Sequence, residues 1–367
     1  MCSFFAKINS NRRHRANNIF KSSRQLASCS TIEFIDVDVF QFDTALSLSN
    51  QLDIEEEIFF LKTSHGRLRG EAKVVKNNEA ICVSILTNQT LYGCGIKNKG
   101  THAFCLLDED YEPSEGSTSN FSNDLSNIAT KIISGFSNKA NFRSFHLPAN
   151  SRVLMYICKT PTIKTIIQKT SKNLDISTSK INTIQPEPGC HQRVQMAYKA
   201  ILDGEHKSGL NRGLTPNKHK AVLHALADCF AQKHHSEAIA IKLTQRHELC
   251  KDLTMWGYTH VNQDHSLERV LAEIHTTRAS ISQGCKETLG IGPMEVLRYI
   301  RLEHVYEALK NPEVRQQIGC HKVEDTREYY GFKSRGNFSA LYKNYLDETP
   351  RATIKSCKRQ KNIEDNE

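Results

Sequence analysis

No apolar run in this 367-residue chain approaches the roughly 18 residues that a membrane-spanning helix needs. The stretch Met1 to Phe20 contains no continuous apolar segment either, so no cleavable export signal is expected and the protein is read as cytoplasmic. Asn88-Gln89-Thr90 then matches a glycosylation pattern by chance. There are 12 cysteines, yet no C-x-x-C and no paired zinc spacing among them. In a reducing compartment they are free thiols, core or incidental, and no disulfide frame is expected. No catalytic triad, phosphate loop or carboxylate pair stands out, which removes the usual bases for an enzyme. His65 and His102 stand alone, and His234-His235 has too few neighbouring ligands to hold an ion. Neither metal nor cofactor is expected.

Basic charge is present in excess, but not where a nucleic-acid binder would be expected to carry it. The net charge is +9 and the pI near 8.9, which favours an anionic partner. From Arg246 to Lys358, however, there are 17 basic and 15 acidic residues, a surplus of 2. The excess lies in Lys7 to Arg24 and across Lys131 to Lys180. Within the last third the distribution is more telling. Lys333, Arg335 and Lys343 gather without an acid among them, while Glu324, Asp325 and Glu328 precede them.

That last third holds two copies of one local plan. In the first, Ser266 is a good N-cap for a short amphipathic helix, Leu267 to Ile274. His275-Thr276 turns the chain, and Thr277 caps a second helix, Arg278 to Leu289, with the apolar row Ile281, Cys285 and Leu289. Gly290 ends it and Pro293 opens the next helix. In the second copy, Val323 to Tyr330 is the short helix and Gly331-Phe332 the turn. Ser334 caps Arg335 to Leu346, whose buried row is Phe338, Tyr342 (or Leu341) and Tyr345. Asp347 stands where the first copy has Gly290, and Pro350 matches Pro293. Two helices joined by a tight turn are a helix-turn-helix, whose second helix is built to enter a DNA major groove. The connecting helix, Pro293 to Lys310, is about 27 Å long at roughly 1.5 Å per residue. That is enough to hold two reading helices in successive major grooves, about 34 Å apart.

These residues resemble the DNA-binding domain of the AraC/XylS transcription regulators. The matching positions are Thr277, Ile281, Leu289-Gly290-Ile291-Gly292-Pro293, Leu297, Arg301-Leu302, Gly331-Phe332, Phe338, Tyr342-Lys343 and Thr349-Pro350. The Leu-Gly-Ile-Gly-Pro run, the Arg-Leu pair and Gly336 are most similar to the branch of the ethanolamine-utilisation regulator. The sequence departs from the family pattern at Leu271 or Ala272 and at Arg327, where a small residue is usual, at Cys285, where an aromatic is expected, and at Ala340. An Arg at position 327 has to snorkel or find a partner. The absence of a cysteine cluster separates the chain from DNA-repair methyltransferases that carry a related domain.

Ahead of this region, residues 1–30 read as a disordered basic tail. From 31 to 185 the chain reads as a β-rich domain: Ile32 to Phe40 mixes Val, Ile and Phe with Asp and Glu, and Gly70 to Val75, Ala80 to Leu86, Leu91 to Ile96, His102 to Leu107, Ser144 to Leu147 and Val153 to Ile157 read as short strands. Lys76 to Glu79 and Lys97 to Gly100 are turns, and Glu112 to Ser126 a loop. The spacing suggests an antiparallel sheet or barrel. The resemblance implies that this part senses an effector or dimerises. Gln185-Pro186-Glu187-Pro188-Gly189 is read as a linker, and 186–245 as helical, either a connector bundle or a dimer helix. Glu237 to Tyr258 is expected to begin the DNA-binding domain, 246–358, with 359–367 a tail.

The fold class expected is therefore α+β: a β-rich N-terminal domain, then an all-α double helix-turn-helix. The function expected is a sequence-specific DNA-binding transcription regulator. Its partners would be double-stranded DNA and RNA polymerase, with a small-molecule effector and a homodimer left open. The alternative is a degenerate family member that binds another regulator through the same fold. Carried over by position, the DNA-facing residues are Arg278, Ala279, Ser282, Gln283 and Lys286 in the first unit. In the second they are Lys333, Arg335, Ser339, Ala340 and Lys343.

Overall fold

Period-two burial builds the N-terminal half. The computed structural model describes residues 36–52, 54, 57–96, 100–108, 132–136, 145–170, 183–203, 215–231, 237–238, 245–263 and 266–364. Residues 1–30, 112–126 and His234-His235 lie outside them. Eleven antiparallel strands form two sheets among these residues. The larger runs β1 (Asp36–Phe42), β3 (Gly70–Lys76), β4 (Ala80–Thr87), β9 (Ser151–Lys159), β6 (Thr101–Leu107), β7 (Ile133–Ser134), β10 (Thr183–Gln185) and β11 (Glu237–Ala238). The smaller places β5 (Leu91–Ile96) between β2 (Glu57–Lys62) and β8 (Phe145–Leu147). The β3–β4 turn is an Asx turn: the Asn77 side chain accepts from the Glu79 and Ala80 amides, both at 2.9 Å.

Both faces of the large sheet are covered, which is why its strands read as apolar runs. On β4, Ile81, Val83 and Ile85 join a core shared with Phe60, Leu91 and Leu147 of the small sheet. Ala80 and Cys82 point the other way, into a core shared with α2 (Thr160–Thr170), α3 (Pro188–Leu202) and α4 (Pro216–Ala231). β9 repeats the division, with Val153, Met155 and Ile157 on one side and Leu154, Tyr156 and Cys158 on the other. The helices after Gln185 thus pack into the core of the sheet: Val194, Tyr198, Leu223 and Leu226 are all fully buried there. Gln185 itself ends β10, close before α3. Glu237-Ala238, expected to open a helix, instead pairs with β10 at the sheet edge.

The small sheet is sandwiched in turn. One face meets the large sheet. The other, through Leu61, Tyr92 and Cys94, enters the core of the C-terminal helices. These are α5 (Gln245–Thr259), α6 (Leu267–Ile274), α7 (Arg278–Leu289), α8 (Pro293–Lys310), α9 (Pro312–Gln317), α10 (Val323–Tyr329), α11 (Arg335–Leu346) and α12 (Pro350–Glu364). The architecture is α+β, a β-rich half followed by an all-helical one. No described helix is long and apolar enough to cross a membrane.

The free edge of β2 faces this helical half, and side chains from there and from the short helix that precedes β2 cover its polar backbone. Phe60 N–H donates to Ser49 Oγ of α1 (Ala45–Gln51) at 2.9 Å. Tyr258 of α5 donates to the Phe60 carbonyl, and Tyr345 Oη of α11 lies 3.1 Å from the Lys62 carbonyl. An edge strand that stays unpaired is an aggregation hazard, and here side-chain hydroxyls close it. Further bonds cross the same boundary. Asp43 accepts from Tyr306 at 2.8 Å and from Lys310 at 2.7 Å, and the Leu46 amide donates to Glu303 at 2.7 Å.

Candidate nucleic-acid interface

The two copies correspond in register, helix by helix. Between α6 and α10, Glu268 matches Glu324 and Leu271 matches Arg327. Between α7 and α11, Arg278 matches Arg335 and Ser282 matches Ser339, a register one position longer. The extra residue is Lys333, in the turn of the second unit. Ser266 caps α6 by accepting from the Arg269 amide. Thr277 and Ser334 cap α7 and α11 by accepting from the amides of Ser280 and Asn337. His275 and Gly331 make the turns in left-handed backbone, with φ of 55° and 79°. Gly290 and Asp347 end α7 and α11 the same way, with φ of 72° and 59°. Pro293 and Pro350 then open α8 and α12, so each unit has three matched helices rather than two. α12 runs to Glu364, past the limit expected at 358.

Buried rows follow the spacing. Ile281 and Cys285 on α7 are fully buried, as are Phe338, Tyr342 and Tyr345 on α11 to within 1%. Val296, Leu297, Ile300, Val305 and Leu309 of α8 all enter the same core. Cys285 stands where the second unit has Tyr342. Its smaller side chain meets Cys250 of α5 through a thiol hydrogen bond, which together with burial holds the Cys250 thiol well above its ordinary value. Tyr92 and Cys94 of the small sheet share that core, so volume missing from the helix is supplied by the sheet.

Arg327, which stands where the first unit has Leu271, has a definite task. It is only 6% exposed. Its Nη1 donates to the carbonyls of Phe332 and, at 2.7 Å, Lys333, and its Nη2 to Glu328 at 2.7 Å. The longer turn of the second unit directs carbonyls inward, and the guanidinium satisfies them. Arg327→Ala is expected to destabilise the protein by about 1–3 kcal/mol, the usual cost of a buried polar group left unpaired. Urea unfolding checks this. Arg327→Lys should recover little, because an ammonium lacks the fork that reaches the two carbonyls through Nη1 and Glu328 through Nη2 at once.

Nine of the ten residues carried over by position lie on α7 and α11, and Lys333 lies in the turn before α11. Arg278, Ala279, Gln283, Lys286, Lys333, Arg335, Ser339, Ala340 and Lys343 are exposed, and Ser282 is half-buried. Several already hold acidic neighbours, and the pairing repeats between copies. Arg278, which opens α7, meets Glu268 on α6 at 3.0 Å, and Arg335, which opens α11, meets Glu324 on α10 at 3.6 Å. Gln283 donates to Glu287 at 2.8 Å. Lys286, Lys343 and Lys333 make no side-chain ion pair among the described residues. The spacing did not show that Arg298 and Arg301 of α8 stand beside Lys333, around a cavity of about 250 Å³ floored by Leu297, Phe332 and Phe338.

A second polar cluster also escaped the sequence reading. Lys62 and Glu303 are both 0% exposed, at the seam between small sheet and helices. Lys62 Nζ donates to the carbonyls of Gly66 and Tyr345 and lies 3.9 Å from the centre of the Tyr345 ring. Burial lowers the Lys62 ammonium to about 8, opposed by the charges of Glu303 and Asp347. Burial raises the Glu303 carboxyl to about 7, against the pull of Lys62, the Leu46 amide and the Tyr345 hydroxyl. His304, next along α8, is lowered to about 3 by burial alone and is therefore neutral. His65 and His102, read as lone histidines, are hydrogen-bonded, to Tyr299 Oη at 2.8 Å and the Gly135 carbonyl at 3.0 Å. Among the described residues no group of three or more His, Cys, Asp or Glu is arranged to hold a metal.

The fold and the paired units together define a two-part chain, a double sheet carrying a duplicated helix-turn-helix. No protein-family model matches it, and no curated protein does. Among solved structures, ToxT from Vibrio cholerae O395 aligns over 87% of this chain and 96% of its own, at 10% identity and a TM-score of 0.30. The AraC-like transcriptional activator CuxR aligns over 74% and 96%, at 8% identity and a TM-score of 0.34. ToxT of strain SCE256 bound to unsaturated fatty acid aligns over 89% and 96%, at 10% identity and 0.28. Likeness this loose bears on neither the activity nor the ligands of the present chain.

Proposed function

We propose that this protein is a sequence-specific DNA-binding transcription regulator that reads two successive major grooves. The observation that carries the reading is the repeat itself. Two 12-residue helices, capped alike and ended alike, each present an Arg at the first position and, at the ninth, a Lys that makes no ion pair among the described residues. Lys286 and Lys343 lie about two turns from the helix start, where phosphate is the natural partner. Gln283 can read adenine and Arg335 guanine through paired hydrogen bonds, and Ala279 and Ala340 offer apolar contact to a thymine methyl. Ser282 and Ser339 can bond to either kind of base. The Arg–Glu pairs are exposed and worth ~0–1 kcal/mol each, so DNA can displace them at little cost.

On this reading residues 246–358 form the DNA-binding domain and 31–185 a sensing or dimerising one, in the cytoplasm, with RNA polymerase as the protein partner. The finer likeness, to the branch of the ethanolamine-utilisation regulator, rests on Leu289 to Pro293 and Arg301-Leu302. Selection of bound duplexes from a random pool, followed by a salt titration, tests the proposal. Affinity should fall steeply with salt, and the footprint should span two adjacent major grooves on one face. Absence of binding to any duplex at low salt would overturn it and favour a role in protein interaction.

A further inference from the structure

Two stripes of side chains line the cavity beside the second unit. Met294, Leu297, Arg298 and Arg301 come from α8, and Ser334, Asn337, Phe338 and Leu341 from α11 and its cap. Each set follows the i, i+3, i+4, i+7 spacing of one helix face. Gly331, Phe332 and Lys333 complete the lining from the turn between α10 and α11. Gly331 has a φ of 79°, and a Cβ there would stand 3.1 Å from Arg301 Nη1, so a glycine lets the guanidinium lie against the turn. Lys333 is the residue by which this turn exceeds its counterpart in the first unit.

Three cations, five apolar side chains and no carboxylate line the cavity. The arginines that open α7 and α11 each have a glutamate within 3.6 Å. Here Arg298 and Lys333 make no ion pair among the described residues, and Arg301 donates through Nη2 to the Gln263 carbonyl at 3.5 Å. Like charges gathered without an acid repel one another, and a bound anion relieves the repulsion. The α11 dipole adds the same sign, because Ser334 is the N-cap of that helix. Leu297 and Phe338 of the floor are each 1% exposed, and the rings of Phe332 and Phe338 lie 5.2 Å apart. Such a floor offers nothing to a bare phosphate, whereas an apolar body that covers it displaces water.

We propose that this cleft binds a small organic anion, a flat carboxylate of one or two rings, with Arg298, Arg301 and Lys333 at the carboxylate and the two phenylalanines beneath the rings. The volume suits it: an apolar cavity of about 150 Å³ takes up benzene, and this one is about 250 Å³. A guanidinium pairs with a carboxylate through two parallel hydrogen bonds, and an aromatic ring stacks on phenylalanine. Occupancy engages Lys333 and sets a negative charge beside α11, so the ligand should weaken DNA binding. That consequence rests on the reading proposed above, whereas the site does not.

Calorimetric titration of the full chain with 2-naphthoate tests the site. Saturable binding with a stoichiometry of one is expected. Neutral 2-naphthylmethanol and inorganic phosphate should each bind at least about tenfold more weakly, since each lacks half of the chemistry. Arg298→Gln should weaken 2-naphthoate by about tenfold, the scale of one hydrogen bond to a charged group. Met294→Trp, which fills the apolar part of the cavity and keeps the cations, should abolish binding. No saturable binding at millimolar concentration, phosphate that binds as well as 2-naphthoate, or an affinity that either variant leaves unchanged overturns the proposal. If Met294→Trp does not fold, Arg298→Gln, at an exposed position, decides alone. In the DNA arm, 2-naphthoate is added to the selected duplex at constant ionic strength. It should lower the affinity of wild type and leave that of Met294→Trp as it was. Unchanged wild-type affinity overturns the link to DNA. Wild-type protein that binds no duplex defeats the DNA reading alone, and the calorimetry still decides the site.

Discussion

Glu303→Gln is expected to gain stability relative to wild type as the pH rises from about 4.5 to 7. Glu303 is 0% exposed, and burial lifts its carboxyl from an ordinary 4.5 to about 7 in spite of Lys62. The folded protein therefore keeps this proton across a window in which the unfolded chain has lost it. Stability contributed by the protonated carboxyl is full below the unfolded value and is lost as pH climbs to the folded one. Each pH unit in that window is worth about 1.4 kcal/mol, so the gap between Gln and Glu should open by roughly 3 kcal/mol. Lys62 has the opposite sign in a separate window. Its ammonium is lowered to about 8 from 10.5, so wild-type stability should recover as the pH rises between those values. The groups facing Glu303 are Lys62 from β2, Tyr345 from α11, Tyr258 from α5, and Glu307 on its own helix. The two tyrosines are held far above their ordinary range by burial and do not titrate here.

Gln is the right substitute because of the hydrogen count. Tyr345 Oη has one proton, yet it lies 2.9 Å from Glu303 Oε1 and 3.1 Å from the Lys62 carbonyl. Both contacts are hydrogen bonds only if Glu303 supplies a proton to the tyrosine oxygen. A carboxamide does so at every pH, while its own oxygen still accepts from the Leu46 amide. Urea unfolding at pH 5, 6, 7 and 8 is the measurement. Parallel curves for the two proteins would show that Glu303 is ionised throughout and that the raised carboxyl is wrong.

Where local chemistry decides a structure, the sequence is explicit about it. Ser266, Thr277, Gly290, Pro293, Ser334 and Pro350 punctuate the helices they were expected to punctuate, because caps and breaks act within one turn. The observed bounds of α6, α7, α8 and α11 are those read from the chain. Strands β3 to β6 were legible for a similar reason, as apolar runs between polar turns. α12 was not, since Pro350 to Glu364 is strongly polar and its buried anchor, Thr353, is held by Tyr342 at 2.8 Å. Lys62 and Glu303 were invisible too. Each sits in ordinary-looking sequence and is buried by partners from the opposite end of the chain, Tyr345 over Lys62 and Leu46 beside Glu303.

Arg335→Ala and Lys343→Ala should affect DNA binding in different ways. Arg335 opens α11, where side chains meet base edges, and its fork can bond both acceptors of a guanine. Losing it should cost about 1–3 kcal/mol on the preferred site and little on scrambled DNA. Lys343 follows two turns later, exposed and without an ion pair among the described residues. Its loss should weaken all sequences alike and lower the salt slope by about 1. The free protein adds a control. Arg335 lies 3.6 Å from Glu324, with side chains 69% and 45% exposed, so this pair holds the arginine only loosely. Glu324→Gln removes a negative charge beside α11 and, since the pair is loose, changes the freedom of Arg335 little, so affinity should rise for every duplex without a change in preference. Competition between the selected site and scrambled DNA, for the three variants at two salt concentrations, separates these outcomes. A specific-to-random ratio that Arg335→Ala leaves unchanged means that Arg335 reads no base, and that the second unit contributes grip rather than specificity.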